Sequence, residues 1–378
     1  MKIILIGNYS LDKQESMKRF TFMLNDGFNK KGIETEIWEP IVFFAFMFKN
    51  STSGSGKWLG YVDKWLLFPI ILKFRLFKKK YKDKSTRFHI CDHSNAAYLK
   101  FLPQDRVVIT CHDVLAIRGA LGYTDAYCPA SGMGKILQKW ILNNLKKANR
   151  LAAVSHFTLN QLKDLIDSNV EKTKNWVVIH NAFNAEFEPL NVLKSKNLLQ
   201  EMGVDTNIPY VLHVGSALER KNRKLLLYMI DKLGSNWNGK ICFAGKSMDS
   251  KLVDLAKKLD LEDRVISVIR PTHEGLLALY SSAEAFIFPS LSEGFGWPLI
   301  EAQACGAPVI ASSFEPMPEV SNNTAIHVHP EDAEGFAKAF LSLRNTNIRD
   351  NIIESGFKNI ERFRVEKMIV DYIGLHQN

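Results

Sequence analysis

The sequence has little cysteine and no long apolar run, and each absence argues against a class of protein. Its five cysteines are scattered, which is typical of reduced thiols rather than of a disulfide framework. No apolar run approaches the roughly 18 residues that cross a bilayer. The apolar residues 3–6 are also too few for a secretory leader. We therefore expect a cytoplasmic protein without a transmembrane helix.

Two further absences narrow the chemistry. No Gly-x-Gly-x-x-Gly follows any predicted strand, which disfavours a nicotinamide-dependent dehydrogenase. The chain has no Asp-x-Asp pair, and its histidines and cysteines do not stand at the spacing of metal ligands. We therefore expect a site that uses neither a metal ion nor a cofactor.

Charge is unevenly distributed along the chain. Of the 378 residues, 46% are hydrophobic and 24% charged, the balance of a soluble globular protein long enough for two domains. The net charge of +9 at first suggests a nucleic-acid partner. However, residues 1–180 carry 28 lysines and arginines against 15 acids, whereas residues 181–378 carry 21 against 25. The N-terminal half is therefore the part that we expect to meet an anionic partner or surface.

Short apolar segments alternate with amphipathic helical patterns through the whole chain. This alternation is typical of parallel sheets covered by helices on both faces. Twelve strands are predicted, at 3–6, 35–38, 88–91, 107–110, 151–154, 177–179, 210–214, 240–244, 265–268, 285–288, 308–311 and 325–328. We expect an α/β protein of two doubly wound, Rossmann-like domains facing a central cleft, since such sheets bind ligands at the carboxyl ends of their strands. The predicted boundaries are an N-terminal domain over 1–182, a connection over 183–208, a C-terminal domain over 209–355, and a C-terminal helix over 356–378 that packs back on the N-terminal domain.

The first candidate site follows the tenth predicted strand. Gly294 and Gly296 let backbone amides approach a ligand closely, and Glu293 precedes the helix in whose first turn Glu301 is predicted. A carboxylate accepts two hydrogen bonds from vicinal hydroxyls, so the segment suits a ribose or a hexose. The alternative is that the helix dipole alone favours an acid at this position.

Two other segments carry candidate residues. A strand ends at Gly215, and a helix begins near Arg220 and Lys221, so helix amides and two cations suit a diphosphate. A basic helix end in solvent is the alternative.

His112 follows a buried strand, where a neutral imidazole could donate a hydrogen bond to a sugar hydroxyl or shield developing charge. A purely structural histidine is equally compatible with this position.

Together these segments resemble the retaining, nucleotide-sugar-dependent glycosyltransferases of the large group-one family, which have the GT-B fold. The resemblance covers essentially the whole chain and is strongest from about 210 to 332. Further matching segments occur in the expected order at 155–158, 178–181, 318–320 and 363–367.

The resemblance implies a role for each candidate residue. In the C-terminal domain, the ribose of a nucleoside diphosphate sugar would contact Glu301, its diphosphate Gly215, Arg220 and Lys221, and its sugar Glu293, Gly294, Phe295 and Gly296. His112 in the N-terminal, acceptor-binding domain and Glu293 would be the catalytic residues.

The implied function is transfer of a hexose-type sugar from a nucleoside diphosphate sugar to a saccharide or lipid-linked acceptor. Retention and independence of metal are expected, in the synthesis of a cell-surface polysaccharide or glycolipid. The cations and helix amides would stabilise the charge on the leaving diphosphate. Two alternatives remain, a non-catalytic nucleotide-sugar-binding protein and a glycoside hydrolase with Glu293 and Glu301 as its carboxylate pair.

The excess of positive charge is concentrated near aromatic residues. Residues 49–87 contain 11 lysines and arginines, two acids and many aromatic rings, and four phenylalanines precede them. This pattern suits an anionic membrane surface bound through residues 43–82, with the protein peripheral at the inner face. Amphipathic helices with their rings in the core explain it as well, and no nucleic-acid partner is expected. Residues 51–57, rich in serine and glycine, predict a flexible connector.

Overall fold

The computed structural model describes residues 1–166 and 173–377, which form two compact α/β units. The first consists of Met1–Tyr123, Cys128–Asn184 and Arg364–Asn378. The second consists of Thr124–Tyr127 and Ala185–Phe363.

The strands of the described residues confirm all twelve predicted strands to within two residues at each end. They are β1 (Lys2–Ile6), β2 (Glu34–Trp38), β3 (Thr86–Ile90), β4 (Val107–Cys111), β5 (Leu151–Ala153), β6 (Trp176–Val178), β7 (Tyr210–Gly215), β8 (Lys240–Gly245), β9 (Val265–Ile269), β10 (Ala285–Phe288), β11 (Val309–Ser312) and β12 (Ile326–Val328). All pair in parallel, as the apolar runs separated by helical patterns predict.

The helices cover the faces of the two sheets. In chain order they are α1 (Glu15–Lys30), α2 (Gly54–Val62), α3 (Phe68–Leu76), α4 (Lys79–Lys82), α5 (Leu115–Leu121), α6 (Gly132–Leu145), α7 (His156–Asp164), α8 (Val192–Glu201), α9 (Lys224–Leu233), α10 (Ser250–Lys258), α11 (His273–Ser282), α12 (Trp297–Ala304), α13 (Met317–Ser321), α14 (Ala333–Ser342), α15 (Thr346–Ile360) and α16 (Val365–Gln377). None of those described combines the length and the apolar composition needed to cross a membrane.

The first unit is built on a sheet with the order β2-β1-β3-β4-β5-β6 among the described residues. Side chains alternate along each strand, so Ile4 and Ile6 join the core on one face while Ile3 and Leu5 join the core on the other. The second of these cores includes Tyr372 of α16, so the end of the chain completes the first unit.

The unit boundaries differ from the predicted domain boundaries at three places. Thr124–Tyr127 belongs to the second unit, although it lies inside the predicted N-terminal domain. The predicted connection, 183–208, contains α8, which packs on α11 within the second unit. The predicted C-terminal helix from 356 falls inside α15, and a new helix starts only at Val365; residue 378 lies outside the described residues. An amphipathic helix beside a domain has the same residue pattern as one inside it, so composition does not mark these boundaries.

The predicted flexible connector over 51–57 is wrong from Gly54 onward. Residues 54–76 form one helical segment, in which a π-helical turn joins α2 to α3. Two of its glycines are sites of close packing: a Cβ on Gly56 would lie 2.9 Å from the Phe48 ring, and one on Gly60 would lie 2.9 Å from the Cβ of Ser51. Glycine here permits contact rather than flexibility.

The second unit has the strand order β12-β11-β10-β7-β8-β9 among the described residues, which is the order of a Rossmann fold. In such a sheet the chain leaves β7 and its neighbour β10 in opposite directions. Ligands bind outside the carboxyl ends of the strands at this switch point. The loops after β7 and β10, which contain the predicted binding residues, therefore lie side by side.

Candidate functional site

The loops after β7 and β10 are tied together by backbone and side-chain hydrogen bonds. The amide of Leu291 donates to the carbonyl of Arg220 at 2.7 Å. Asn222 has a left-handed backbone, with φ 51°, and its amide side chain donates to the carbonyls of Pro289 and Pro330 at 3.2 and 2.6 Å. The two loops consequently form one edge of the second unit.

Glu293 forms a buried ion cluster with the two cations of the other loop. Its carboxylate accepts hydrogen bonds from Arg220 Nη1 at 2.7 Å and from Lys221 Nζ at 2.5 Å. Arg220 Nη1 also donates to the carbonyl of Ser292 at 3.0 Å. The resemblance implies that Glu293 binds the sugar and that the two cations bind the diphosphate. In the structure, Glu293 contacts both cations. The cluster has two positive charges and one negative charge, so it retains a net attraction for anions.

Burial and charge have opposite effects on the ionisation of this cluster. Burial favours the neutral form of Glu293, but the positive charges of Lys221 and Arg220 outweigh it and lower the pKa of the carboxyl to about 2. Burial lowers the pKa of Lys221, although Glu293 favours its charged form. Glu293 is therefore a carboxylate at neutral pH, able to accept hydrogen bonds and unable to act as an acid.

The loop after β10 ends at the N-terminus of α12. Gly296 has φ 105°, and a Cβ there would lie 3.3 Å from the Phe288 ring, so glycine is required at this position. The first amides of α12 and the positive end of its dipole lie just after Gly296. The Phe295 ring packs edge-on against the rings of Phe363 and Trp297, with centroids at 5.6 and 6.1 Å. Any ligand contact by Phe295 would therefore use its backbone.

Glu301 lies one turn further along the helix than predicted. It is the fifth residue of α12, hence in the second turn, and it is largely buried. Its carboxylate accepts a hydrogen bond from the hydroxyl of Tyr280 at 2.9 Å, which orients it. Tyr280 is fully buried in α11. It lies in an apolar helical pattern, so the sequence indicates that it is buried but not that it contacts Glu301.

The end of β7 is shaped by two glycines and a histidine. Gly245 has φ 115°, and a Cβ there would lie 2.7 Å from the carbonyl oxygen of Gly215, so the ends of β7 and β8 approach closely. His213 donates from Nδ1 to the carbonyl of Ile287 at 3.1 Å, and burial lowers its pKa to about 3. The ring is therefore neutral, and its Nε2 is a hydrogen-bond acceptor beside Gly215. Sequence reasoning did not assign His213 a role.

His112 belongs to the first unit, where it follows β4 as predicted. Its Nε2 lies 2.9 Å from the carbonyl oxygen of Cys91, and because a carbonyl only accepts, this nitrogen must donate. Burial lowers the pKa of the ring, so it is neutral near pH 7 and its Nδ1 is an acceptor. In this tautomer Nδ1 would accept a hydrogen bond from a sugar hydroxyl rather than donate one, and the predicted role of His112 in shielding developing charge stays a prediction.

The second sheet has a buried cation–carboxylate cluster and the N-terminus of α12 at its switch point. This arrangement is chemically suited to an anion attached to hydroxyl groups. The comparison with known proteins is more specific. Residues 195–359 match the family model described as "Glycosyl transferases group 1". This match confirms, over these residues, the resemblance inferred from the motifs.

Relatives and solved structures extend the similarity beyond this segment. O-antigen chain mannosyltransferase B of Escherichia coli is 24% identical over 284 residues, which cover 73% of this chain and 72% of that protein. Sucrose-phosphate synthase from Thermosynechococcus elongatus superposes with a TM-score of 0.71 at 20% identity, covering 100% of this chain and 98% of that one. Anabaena HepE, in complex with UDP and glucose, gives a TM-score of 0.70 at 15% identity, covering 99% and 98%. The two structures confirm the predicted GT-B fold class.

Proposed function

We propose that the chain transfers a hexose-type sugar from a nucleoside diphosphate sugar to a saccharide or lipid-linked acceptor. The observation that carries this proposal is the buried cluster of Arg220, Lys221 and Glu293, which adjoins the start of α12 at the switch point of the second sheet. Such a site attracts the diphosphate through two cations and helix amides, and its carboxylate suits the hydroxyls of the sugar.

In the proposed mechanism, charge stabilisation of the leaving diphosphate drives the reaction. As the bond to the anomeric carbon breaks, negative charge grows on the diphosphate, and the preformed cations and the dipole of α12 oppose that charge. We propose that this arrangement needs no metal ion or other cofactor. Retention at the anomeric carbon is proposed from the family resemblance.

We propose separate tasks for the remaining residues. Glu293 would exchange part of its bonding with the cations for hydrogen bonds from sugar hydroxyls, while the amides of Gly294–Gly296 contact the same sugar. Glu301, oriented by Tyr280, would accept from the ribose. His112, a neutral acceptor, would act in catalysis, so its replacement by alanine should lower turnover and leave donor binding unchanged.

The proposed biological setting is the synthesis of a cell-surface polysaccharide or glycolipid. The E. coli relative is named as an O-antigen chain mannosyltransferase, and HepE was solved with UDP and glucose. These names support a nucleotide-sugar donor and a saccharide acceptor. We propose a cytoplasmic protein that is peripheral at the inner face of the membrane.

The direct test of the donor site is calorimetric titration with UDP, GDP, ADP and dTDP and their sugars. We expect one nucleotide to bind, and Lys221→Met to weaken it roughly 10- to 100-fold, as loss of a charged contact does. Lys224→Ala is the matched control, because Lys224 is exposed on the first turn of α9 nearby. Absence of binding by every member of the panel would refute the proposal.

Two outcomes would favour the alternatives. Donor binding without donor consumption, across a broad acceptor panel, would indicate a nucleotide-sugar-binding protein. Sugar release from a saccharide without any nucleotide would indicate a hydrolase. The low pKa of Glu293 means that Glu301 would have to be the acid of such a hydrolase.

A further inference from the structure

The first unit has an apolar and basic surface that the proposed chemistry does not use. Its apolar part, here called the aromatic surface, consists of Phe43, Phe44, Phe46, Met47, Phe48, Trp58, Leu66, Ile70, Phe74 and Phe77. Phe46 is 72% exposed, Met47 79% and Phe74 69%. Part of the aromatic pattern does pack inward, since Phe68 and Leu72 belong to the core. Exposure of this many large apolar side chains marks an interaction site rather than ordinary surface.

A buried carboxylate fixes the loop that carries the phenylalanines. Asp63 lies in the π-helical turn and is fully buried. It accepts hydrogen bonds from the backbone amides of Phe43, Phe44 and Ala45 at 3.1, 2.9 and 3.2 Å, and from the Tyr9 hydroxyl at 2.7 Å. Desolvating a carboxylate is costly unless it is well bonded, and these four donors satisfy it. The start of the loop is therefore held rigidly, with its rings outward.

The end of the same loop is anchored as well. The Phe48 ring packs over Gly56 of α2, and the amide of Ser51 donates to the carbonyl of Leu11 at 3.0 Å. Because both ends are fixed, the loop presents Phe46 and Met47 in a preorganised form, which reduces the entropy that would be lost on docking.

The helical segment 54–76 continues the apolar surface. Leu66, Ile70 and Phe74 are exposed and spaced by four residues, so they lie along one side of the helix. The opposite side packs in the core through Phe68 and Leu72. An exposed helix that is apolar on both sides needs a second apolar environment for its outer side.

The charge around the aromatic surface is strongly positive. Residues 49–87 contain 11 lysines and arginines and two acids, Asp63 and Asp83. Asp63 is buried in the loop anchor, and Asp83 accepts a hydrogen bond from the amide of Ser85 at 2.7 Å. Lysines lie directly among the rings; Lys82 Nζ, for example, is 5.8 Å from the centre of the Phe77 ring.

We infer that the aromatic surface docks on a bilayer that contains anionic lipids. The loop 43–48 inserts Phe46 and Met47 below the headgroups, and the exposed lysines of 49–87 contact the lipid phosphates. Lys64 is not among them, because it is buried and paired with Asp12. The surface includes aliphatic side chains such as Leu66 and Ile70, which favour a lipid bilayer as the partner. A single-stranded nucleic acid would instead require flat rings on which its bases stack. The inference goes beyond the proposed transfer reaction and does not depend on it, since docking needs no sugar donor.

The test is co-sedimentation of the full chain with phosphatidylcholine vesicles, made with and without phosphatidylglycerol. We expect binding to the phosphatidylglycerol vesicles in low salt and release in high salt, because salt screens the lysines. The double substitution Phe46→Ser with Met47→Ser should weaken binding at least about tenfold. The matched control is Val192→Ser with Leu193→Ser, since these side chains on α8 are 84% and 68% exposed; this variant should bind like the unmodified chain.

A second variant tests the anchor. Asp63→Asn keeps the size of the side chain but removes its charge, so the amides of residues 43–45 should exchange hydrogen faster and vesicle binding should fall. An unchanged far-UV circular dichroism spectrum and a cooperative thermal transition show that the variant is folded. The candidate donor site lies in the second unit, so nucleoside diphosphate affinity should be unchanged, which separates this test from the proposed function. Absence of binding to anionic vesicles in low salt, or equal losses in the loop and α8 variants, would overturn the inference. Displacement from vesicles by a single-stranded oligonucleotide that binds through Phe46 and Met47 would assign the surface to nucleic acid instead.

Discussion

At the scale of single residues, Glu293 decides the electrostatics of the candidate donor site. Its carboxylate contacts both Arg220 and Lys221, and the group is largely buried. Removing one partner of a buried ion cluster leaves charge that nothing nearby compensates. The same carboxylate also competes with any diphosphate for the two cations.

The variant Glu293→Gln should therefore lose stability and gain affinity for a free nucleoside diphosphate. We expect the unfolding free energy to fall by about 3 kcal/mol, the usual cost of breaking a buried pair. Glu274→Gln is the matched control, because its pair with Lys194 is exposed to solvent and contributes little to stability. Thermal melting with and without the nucleotide measures both effects. Equal destabilisation by the two substitutions would contradict the assigned role of the cluster.

At the scale of elements, α16 completes the first unit. Its Ile369 packs so closely on Gly27 of α1 that a Cβ on Gly27 would overlap the Ile369 side chain. Tyr372 donates or accepts a hydrogen bond with Thr110 of β4 at 3.0 Å. His376 lies 3.2 Å from His89 of β3, between ring nitrogens. Truncating the chain before α16 would expose this face of the sheet.

Two helical glycines provide a matched pair of substitutions for this contact. Gly27→Ala should destabilise the first unit by about 1–3 kcal/mol, the usual cost of overpacking. Gly374→Ala on α16 should stabilise by about 0.5–1 kcal/mol, since nothing lies within 4 Å of its added Cβ and alanine favours a helix. Denaturant unfolding of the two variants measures the difference. Similar effects of the two substitutions would show that α1 and α16 do not pack in this way.

Because His89 and His376 are buried where α16 packs on the sheet, we expect the stability of the fold to depend on pH. Burial lowers the pKa of His376 to about 3 and that of His89 well below its ordinary value. The unfolded chain takes up protons near pH 6.5, whereas the folded chain does not, so stability falls as the pH drops below 6.5 toward 3. The slope is at most about 1.4 kcal/mol per pH unit for each histidine.

Denaturant unfolding between pH 8 and pH 5 measures this effect. We expect His376→Gln to be less sensitive to acid than the unmodified chain over this range, because one of the two groups no longer titrates. An unchanged pH slope in the variant would contradict the burial of a neutral His376.

At the scale of the whole molecule, the fold was largely predictable from the sequence. Strands buried on both faces are short apolar runs, so all twelve strands could be identified without knowledge of their pairing. The candidate donor residues could also be identified from the sequence, because glycine, acidic and basic residues cluster where the predicted strands end. Their roles in binding and catalysis stay predictions.

The contacts between these residues could not be predicted in the same way. Glu293 meets Lys221 across 72 residues of sequence, and only the adjacency of β7 and β10 brings them together. Tyr280 reaches Glu301 from an apolar helix whose pattern indicates only burial. Gly56 belongs to the serine- and glycine-rich run 51–57, whose composition predicts flexibility. In the structure the preceding loop packs against Gly56 and Gly60, so the helix must lack side chains at these two positions.

The central claim, that the chain transfers a sugar from a nucleotide donor, is tested most directly by following the reaction by NMR at the anomeric proton. The chain is incubated with the donor identified by calorimetry, a panel of simple glycosides and a metal chelator. We predict that nucleoside diphosphate and a new glycoside appear in equal amounts, with the anomeric configuration of the donor kept. Lys221→Met should lose this activity and Lys224→Ala should keep it. A donor that binds but is never consumed, or sugar release that needs no donor, would contradict the account.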